Sequence, residues 1–342
     1  MLALVTLLWF WASIAASTTD GYRDFGVFYA SSRCVLDGCD PYSGAVPNLN
    51  PPFTLWLLLP FTWLPLAAAH GVWVALTFAC LAGSTWLTWR ALRVAATPVT
   101  ALVVLGLWGS APVLHLIMQG QVSALLLLPL TWCWTRERSG RQTSVWLTPV
   151  VAWKPMLAVL AIGRAWVSWS VLLRLALMGA LLFASDAWLQ GPAVYRGWIE
   201  ALIRADFPHR LDGSLWQVAR TFDWPTAVPL VLSLALVAVS WWRMPRVSVD
   251  AAWSLGLSVS LLASPKGWIY YGCWLMPPAA GLWQTGGRLP RAFLLLASVC
   301  AVLPLDTPLR LGPLYAVAYG CVWLAGALDE SRRSTVLLPR AR

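Results

Sequence analysis

Long apolar runs recur almost from end to end of the 342-residue chain, separated by short polar breaks. A helix needs about 20 residues to cross a hydrocarbon core of roughly 30 Å. The pattern therefore predicts an all-α, polytopic integral membrane protein with about ten transmembrane helices in a single domain, residues 1–342. The spans are expected at about 1–17, 68–89, 99–118, 121–135, 169–187, 226–242, 249–264, 268–284, 292–304 and 311–327.

Two further apolar runs are interrupted and are predicted to be interfacial or re-entrant segments. Pro60 and Pro65 cut the run at 52–65, and Lys154-Pro155 lies in the middle of the run at 145–162. A proline inside a helix removes a hydrogen bond and breaks the helix. If 145–162 is re-entrant, we expect its tip to have difficulty in reaching a site on the outer side.

The N-terminal run, 1–17, has no basic residue before Arg23. This favours an uncleaved membrane anchor over a cleaved signal peptide, which would carry a basic segment first.

Charged residues make up only 11% of the chain, with a formal net charge of +10. The basic residues are dispersed at span ends, as topology determinants are, and form no stripe of the kind that follows nucleic-acid phosphates. The positive-inside rule places two longer acidic segments, about 18–51 and 189–225, outside the membrane. The excess of arginine over lysine indicates a GC-rich bacterial genome, so we expect a bacterial plasma membrane protein whose site faces the periplasm or the cell exterior.

The first polar segment holds four of the fourteen acidic residues: Asp20, Asp24, Asp37 and Asp40. Asp24 follows an expected span end and precedes aromatic residues, and a partly apolar surround there would shift its pKa. It is the strongest candidate for a general base. Alternatively, it caps a helix or pairs with Arg23 on the surface. Asp20 is a weaker candidate, and the pattern does not decide between them.

Cysteines and histidines add little chemistry. Five of the seven cysteines lie in apolar runs, where a thiol acts as a small hydrophobe. Cys34 and Cys39 lie in the first polar segment and are either bridged or free. His70 and His115 are predicted to be packed residues, whereas His209, beside Arg210 in the second acidic segment, is better placed for substrate contact.

Three polar interruptions are further candidates, and each has a structural alternative. Gln119-Gly120-Gln121 is either a glycine-centred turn or a binding site for sugar hydroxyls. Lys154 either marks a site or extends its charge towards the membrane surface. The stretch 264–271, Ser-Pro-Lys-Gly-Trp-Ile-Tyr-Tyr, either forms a phosphate-and-sugar site or belongs to an interfacial aromatic belt.

In this order, these stretches resemble the polytopic bacterial glycosyltransferases of family 87, within the GT-C superfamily, whose members use polyprenyl-phosphate sugars. The resemblance rests on Asp24-Phe25, Gly38-Cys39-Asp40-Pro41-Tyr42, Asn50-Pro51-Pro52, Gly120-Gln121-Val122, Lys154-Pro155 and Ser264-Pro265-Lys266-Gly267-Trp268. There are two departures. Tyr270 and Tyr271 stand where the family commonly has histidine, and Asp212-Gly213-Ser214-Leu215 stands where it has Asn-x-Ser-Leu.

The resemblance implies a GT-C-like fold and an inverting transferase in which Asp24 takes the proton of the acceptor hydroxyl as polyprenyl phosphate leaves. It implies that Lys154, Lys266 and Arg210 or Arg220 hold the donor phosphate. No metal is expected, and no cofactor beyond the lipid-linked sugar as co-substrate.

The expected function is transfer of mannose, or a related sugar such as arabinose, to an extracytoplasmic glycolipid or polysaccharide. The expected partners are membrane lipids, the polyprenyl-phosphate sugar and this acceptor, without nucleic acid. The alternative is a non-enzymatic transporter or flippase for a lipid-linked sugar, which would need ionisable residues in mid-span, and Lys154 alone is one. The residues expected to contact substrate are Asp20, Tyr29, Asp40, Tyr42, Gln119, Gln121, Lys154, His209, Arg210, Lys266, Trp268, Tyr270 and Tyr271.

Overall fold

The computed structural model describes residues 23–44, 46–95, 97–165, 169–204, 212–302 and 311–329, together with positions 12 and 15. Within these residues, sixteen α-helices follow one another, and extended backbone pairs only in an isolated bridge between Asp212 and Trp268. The predicted all-α class is confirmed. The helices are α1 (Arg23–Asp37), α2 (Phe53–Leu58), α3 (Leu66–Leu92), α4 (Pro98–Trp108), α5 (Ala111–Gln119), α6 (Ser123–Arg138), α7 (Thr148–Trp153), α8 (Ala158–Ala165), α9 (Trp169–Gln190), α10 (Pro192–Arg204), α11 (Leu215–Thr221), α12 (Ala227–Arg243), α13 (Val249–Ala263), α14 (Met276–Thr285), α15 (Arg288–Val302) and α16 (Leu311–Ala327).

Fewer helices than predicted are long enough to cross a membrane. Among the described residues, three have the necessary length and apolar composition, namely Leu66–Leu92, Trp169–Gln190 and Ala227–Arg246. A fourth is possible if α4 and α5, which are bent by 50° at their junction, form one broken span. These apolar helices are those of a membrane protein, but the prediction of about ten spans is wrong.

Most helices lie close to where the pattern places them, but many are shorter than a membrane span requires. Helix α13 has 15 residues, and at 1.5 Å per residue it is only about 22 Å long. The predicted span at 268–284 is not one helix, because Ile269–Leu275 is a 3₁₀ segment and a new helix starts at Met276-Pro277-Pro278. The expected span at 1–17 lies outside the described residues, apart from positions 12 and 15.

Helix α13 is the centre of the core. Every residue from Asp250 to Leu262 is buried, and the helix packs against α8, α12, α14 and α16. A helix that is apolar or small on all faces is buried on all faces. Close packing against α8 depends on Gly256, where a Cβ would lie 2.5 Å from Cδ1 of Leu160.

The interrupted run at 145–162 is a helical hairpin with its break at Lys154. A residue before proline disfavours helical backbone, and Lys154 has φ −129° and ψ 88°. At one end of the segment Oγ1 of Thr143 donates to Oε1 of Glu137 at 3.3 Å, and at the other Nη2 of Arg164 lies 2.7 Å from Oε2 of Glu137. Both ends lie at one carboxylate, so the segment folds back on itself between them. We call residues 143–164 the re-entrant hairpin.

Candidate active site

Asp24 lies in the first turn of α1, although the sequence pattern had suggested a loop. The next residue fixes its position, because Phe25 is 1% exposed and its ring packs against Phe61, His70 and Trp73 at centroid distances of 6.1, 5.5 and 5.2 Å. Asp24 itself is partly buried. A carboxylate is therefore held at the surface of an aromatic cluster.

The turn at Gly120 brings Gln121 to Asp24. Gly120 has φ +64°, and a Cβ there would lie 2.7 Å from Cβ of Phe25, so this turn needs glycine both for its backbone conformation and for the close approach. Nε2 of Gln121 donates a hydrogen bond to Oδ2 of Asp24. Oε1 of the same amide is buried without a partner among the described residues. The amide thus holds Asp24 and leaves one acceptor available.

Lys154 reaches the same site from the tip of the re-entrant hairpin. Its Nζ donates to Oδ1 of Asn50 at 2.9 Å and lies 5.5 Å from the ring centroid of Tyr271. The tip of the hairpin thus lies at the Asp24 site, although the sequence predicted that a re-entrant tip would have difficulty in reaching a site on the outer side.

Asn50 is a site residue that the list drawn from the sequence omits. Its Nδ2 donates to Oδ1 of Asn48 at 3.0 Å, and its carbonyl accepts from the hydroxyl of Tyr42 at 3.0 Å. Asn50 is 2% exposed. The available signal was the Asn50-Pro51-Pro52 element, which carried part of the family resemblance but does not by itself indicate that the amide meets a lysine.

Asp40 and Tyr42 shape the loop that carries Asn50. Oδ1 of the exposed Asp40 accepts from the backbone N–H of Tyr42 at 2.9 Å, and Tyr42 is fully buried beside Leu55 and Ala201. Both were expected to contact substrate, and the contacts found are structural.

A disulfide joins Cys34 and Cys39, whose Cα atoms are 4.8 Å apart. Of the two alternatives left open by the sequence, the structure has the bridge. Gly38, with φ +71°, and a hydrogen bond from Cys39 N to Cys34 O at 3.0 Å turn the chain at the end of α1.

Burial shifts both charged groups of the site towards their neutral forms. It raises the pKa of Asp24, an effect opposed by the Gln121 hydrogen bond and by the charges of Lys154 and Arg23. It lowers the pKa of Lys154 to about 8, opposed by the charge of Asp24. Both residues lie outside the candidate spans. The site therefore pairs a carboxylate of increased basicity with a lysine that is still mainly charged at neutral pH.

The stretch 264–271 is anchored by Asp212. Oδ1 of Asp212 accepts from the backbone N–H of Gly267 at 2.8 Å and from that of Ser214 at 2.9 Å, and Gly213 N donates to Gly267 O at 2.8 Å. Both side-chain hydrogen bonds use an acceptor oxygen, which an asparagine would also supply. Asp212, in place of the asparagine that the family commonly has, therefore preserves both of these hydrogen bonds.

The same stretch delivers aromatic residues to the site. The rings of Tyr270 and Tyr271 meet edge to face at 4.8 Å, and Trp268 stacks on Tyr270 at 5.7 Å. Burial raises the pKa of Tyr271, and the nearby charge of Asp24 raises it further. Burial and the charge of Asp24 raise the pKa of Tyr270 as well. Both hydroxyls therefore stay protonated, and the hydrogen bond between them leaves one of the two protons for another acceptor. We call Asp24, Asn50, Gln121, Lys154, Tyr270 and Tyr271 the Asp24 cluster.

Several predicted residues are not brought into the Asp24 cluster. The hydroxyl of Tyr29 donates to the carbonyl of Leu64 at 2.8 Å. Gln119 ends α5 and is partly buried. The backbone N–H of Lys266 donates to Oγ of Ser264 at 3.2 Å. Asp20, His209 and Arg210 lie outside the described residues. Within the part of the chain that the structure describes, no group of three or more His, Cys, Asp or Glu side chains could hold a metal ion.

Comparison with known proteins gives one match. Residues 48–265, well over half of the chain, match the model of glycosyltransferase family 87. No curated protein and no solved structure matches the chain. The matched range contains Asn50, Gln121, Lys154 and Asp212. Asp24 and the Tyr270–Tyr271 pair lie outside it.

Proposed function

The chain belongs to glycosyltransferase family 87, and from that premise we propose that it is an inverting transferase that uses a polyprenyl-phosphate sugar. The donor sugar is mannose or a related sugar such as arabinose, and the acceptor is an extracytoplasmic glycolipid or polysaccharide. One observation carries the proposal: the convergence of a carboxylate with a raised pKa and a lysine in the Asp24 cluster.

Asp24 is the proposed general base. The acceptor hydroxyl oxygen attacks the anomeric carbon and its proton passes to Asp24, while the bond between that carbon and the donor phosphate oxygen breaks. The electron pair of the broken bond stays on polyprenyl phosphate. A base whose pKa is raised towards the working pH accepts the proton more readily than an ordinary aspartate. Gln121 orients the carboxylate, and its unpartnered Oε1 is available to a sugar hydroxyl.

Lys154 is the proposed stabiliser of the leaving phosphate. Within the described residues, no ion pair joins Lys154 to a carboxylate, and its Nζ contacts only the neutral oxygen of Asn50 and the face of Tyr271. A cation held in a partly buried site without a contacting carboxylate is available to stabilise charge that develops on a phosphate. The hydroxyls of Tyr270 and Tyr271 are further candidate donors to the phosphate or the sugar, and Lys266, outside the Asp24 cluster but on the same stretch, remains a proposed donor to the phosphate.

The Asp24 cluster is proposed to face the periplasm or cell exterior of a bacterial plasma membrane. The Cys34–Cys39 disulfide lies at the end of the helix that carries Asp24, and disulfides persist in oxidising compartments. The distribution of basic residues favours the same orientation. The catalytic unit is proposed to be a single domain that includes α1, which precedes the matched range.

The experiment is sugar transfer from polyprenyl-phosphomannose to the endogenous glycolipids of membranes that contain the protein. Wild type is compared at matched expression with Asp24→Asn, Asp20→Asn and the control Asp37→Asn. Asp37 lies on the same helix, but it is exposed and pairs with Arg33. We expect loss of transfer in Asp24→Asn alone. Unchanged transfer in that variant would refute the base, and movement of intact lipid-linked sugar without transfer would favour the transporter alternative.

A further inference from the structure

We propose that Glu137, at the far end of α6 from the Asp24 cluster, is a positioning residue that holds the re-entrant hairpin so that Lys154 stays in the site. The inference rests on the proposed function, because it concerns how the cation for the leaving phosphate is kept in place.

Glu137 is the common attachment of both ends of the hairpin. Its Oε2 accepts from Nε of Arg164 at 2.8 Å and lies 2.7 Å from Nη2. Its Oε1 lies 3.3 Å from the hydroxyl of Thr143, which is shared with the carbonyl of Cys133 at 3.1 Å, also on α6. Trp253 of the central helix α13 donates to the same Oε2 at 2.9 Å. The side chains of Glu137 and Arg164 are only 5% and 11% exposed. One buried carboxylate thus joins the start of the hairpin, its end and the core.

The tip of the hairpin is held mainly by Lys154 itself, through Asn50 and Tyr271, and by the buried Leu157. The helical conformation is interrupted at Lys154, which follows the last residue of α7 and precedes Pro155. The neighbouring Trp153 packs edge to face on Phe53 at 6.2 Å, but its Nε1 is buried without a partner among the described residues. On the returning arm, the carbonyl of Val159 accepts a hydrogen bond from Nε1 of Trp241 at 2.9 Å. The position of the tip therefore depends on how the two ends of the hairpin are held as well as on these contacts.

Loss of the negative charge at Glu137 would leave the guanidinium of Arg164 buried and unpaired, which favours its movement towards water. Thr143 and Arg164 would then no longer share an attachment. The groups that face Lys154 are Asp24 from α1, neutral Asn50 before α2, and Tyr271 from the 3₁₀ segment. Displacement of the tip separates Lys154 from all three and exposes it to solvent.

Lys154 can be observed directly, because the chain has only two lysines, Lys154 and Lys266. Full-length protein labelled biosynthetically with [13Cε]lysine in detergent micelles should give two resonances, which the Lys266→Arg variant assigns. Titration then reports the Lys154 pKa without any activity measurement. Sugar transfer from polyprenyl-phosphomannose is measured on the same preparations.

The test variant is Glu137→Gln, which keeps the shape of the side chain and removes its charge. The matched control is Asp250→Asn. Asp250 is also a buried carboxylate beside α6, where it accepts from Trp134 at 2.9 Å and lies 3.4 Å from Nε of Arg138, but it touches neither end of the hairpin. Arg164→Lys is the conservative variant, because it retains a cation for Glu137.

In Glu137→Gln we expect the Lys154 titration midpoint to rise from about 8 towards the ordinary value of 10.5. We expect transfer to fall about 100-fold, as an ångström-scale misplacement can cause. Arg164→Lys should keep both values nearer to wild type, and Asp250→Asn should leave the midpoint unchanged. If Glu137→Gln does not fold, Thr143→Val removes the hydroxyl that contacts Glu137 and the Cys133 carbonyl but leaves the Arg164 pair in place, and it should give a smaller shift in the same direction.

An unchanged Lys154 midpoint in folded Glu137→Gln would overturn the positioning role, as would an equal shift in Asp250→Asn. Failure of the proposed function looks different, because wild type would then transfer no sugar while the lysine resonance still responded to Glu137→Gln.

Discussion

Two buried polar clusters lie at the two ends of α6, and they are built on opposite principles. The Glu137 cluster, formed by Glu137, Thr143, Arg164 and Trp253, joins opposite charges and hydrogen-bonds both carboxylate oxygens. The Asp24 cluster begins with Gln121, roughly 24 Å away at 1.5 Å per residue. There the acid and the cation contact neutral amides, and one amide oxygen has no partner among the described residues.

The difference separates a structural use of buried charge from the functional use that we propose for the Asp24 cluster. A paired and hydrogen-bonded ion has little capacity left for another molecule, and removing its partner is costly. An acid and a cation held apart keep their capacity to bind, and burial shifts their pKa values towards neutrality. The re-entrant hairpin connects the two, since its ends lie in the Glu137 cluster and its tip in the Asp24 cluster.

The largest expected effect is on activity in the Asp24 cluster. Asp24→Asn keeps the size of the side chain and removes the base, so we expect transfer to fall by about 10²- to 10⁴-fold, the usual contribution of general base catalysis. Thermal unfolding in detergent should be unchanged or shifted to higher temperature, because a buried charge is removed. A variant that instead unfolds at a much lower temperature would mean that Asp24 is a structural residue like Glu137.

The largest effect on stability, in contrast, is expected in the Glu137 cluster. Arg164→Met leaves Glu137 buried without its cation, which costs about 3–5 kcal/mol for a broken buried pair, so the unfolding temperature should fall. Lys154→Met removes a cation that has no carboxylate partner and should leave the unfolding temperature unchanged or higher while transfer is lost. Equal losses of stability in the two variants would abolish the distinction between the clusters.

The pH dependence of transfer should report the Asp24 cluster. Asp24 becomes protonated as pH falls through its raised pKa, so activity should decline on the acid side at a higher pH than an ordinary aspartate would give. Lys154 loses its proton as pH rises through about 8, so activity should decline on the alkaline side as well. Lys154→Arg should move the alkaline limb to higher pH, since arginine stays charged. An alkaline limb that does not move would exclude Lys154 as its source.

The sequence predicted much of the Asp24 cluster, because polar residues in apolar surroundings are conspicuous. Asp24, Gln121, Lys154 and Tyr271 were all identified, and the structure brings them together. Asn50 was not predicted to contact substrate, because a neutral amide in a proline-flanked turn has no distinctive chemistry until its neighbour is known.

Glu137 was missed for another reason. It lies between Arg136 and Arg138, and this charged run was interpreted only as a topology signal. Glu137 is buried by residues distant in sequence, Arg164 and Trp253. Such long-range packing cannot be predicted from local composition. The predicted number of spans was wrong for a related reason. Apolar runs give the positions of helices but do not show where prolines and 3₁₀ turns shorten them.

The smallest effects on stability and transfer are expected at the two glycine turns that flank α6. Gly120→Ala places a Cβ 2.7 Å from Cβ of Phe25, on a backbone with φ +64°, so the turn or α1 must shift and carry Gln121 away from Asp24. Gly140 has a similar φ of +81°, but nothing lies within 4 Å of its Cβ. Both substitutions should cost about 1–2 kcal/mol for left-handed backbone, measured as loss of unfolding temperature. Only Gly120→Ala should also lower transfer, by about 10-fold if the misplacement is a fraction of an ångström. Equal transfer in the two variants would show that the approach of α1 to this turn does not set the position of the base.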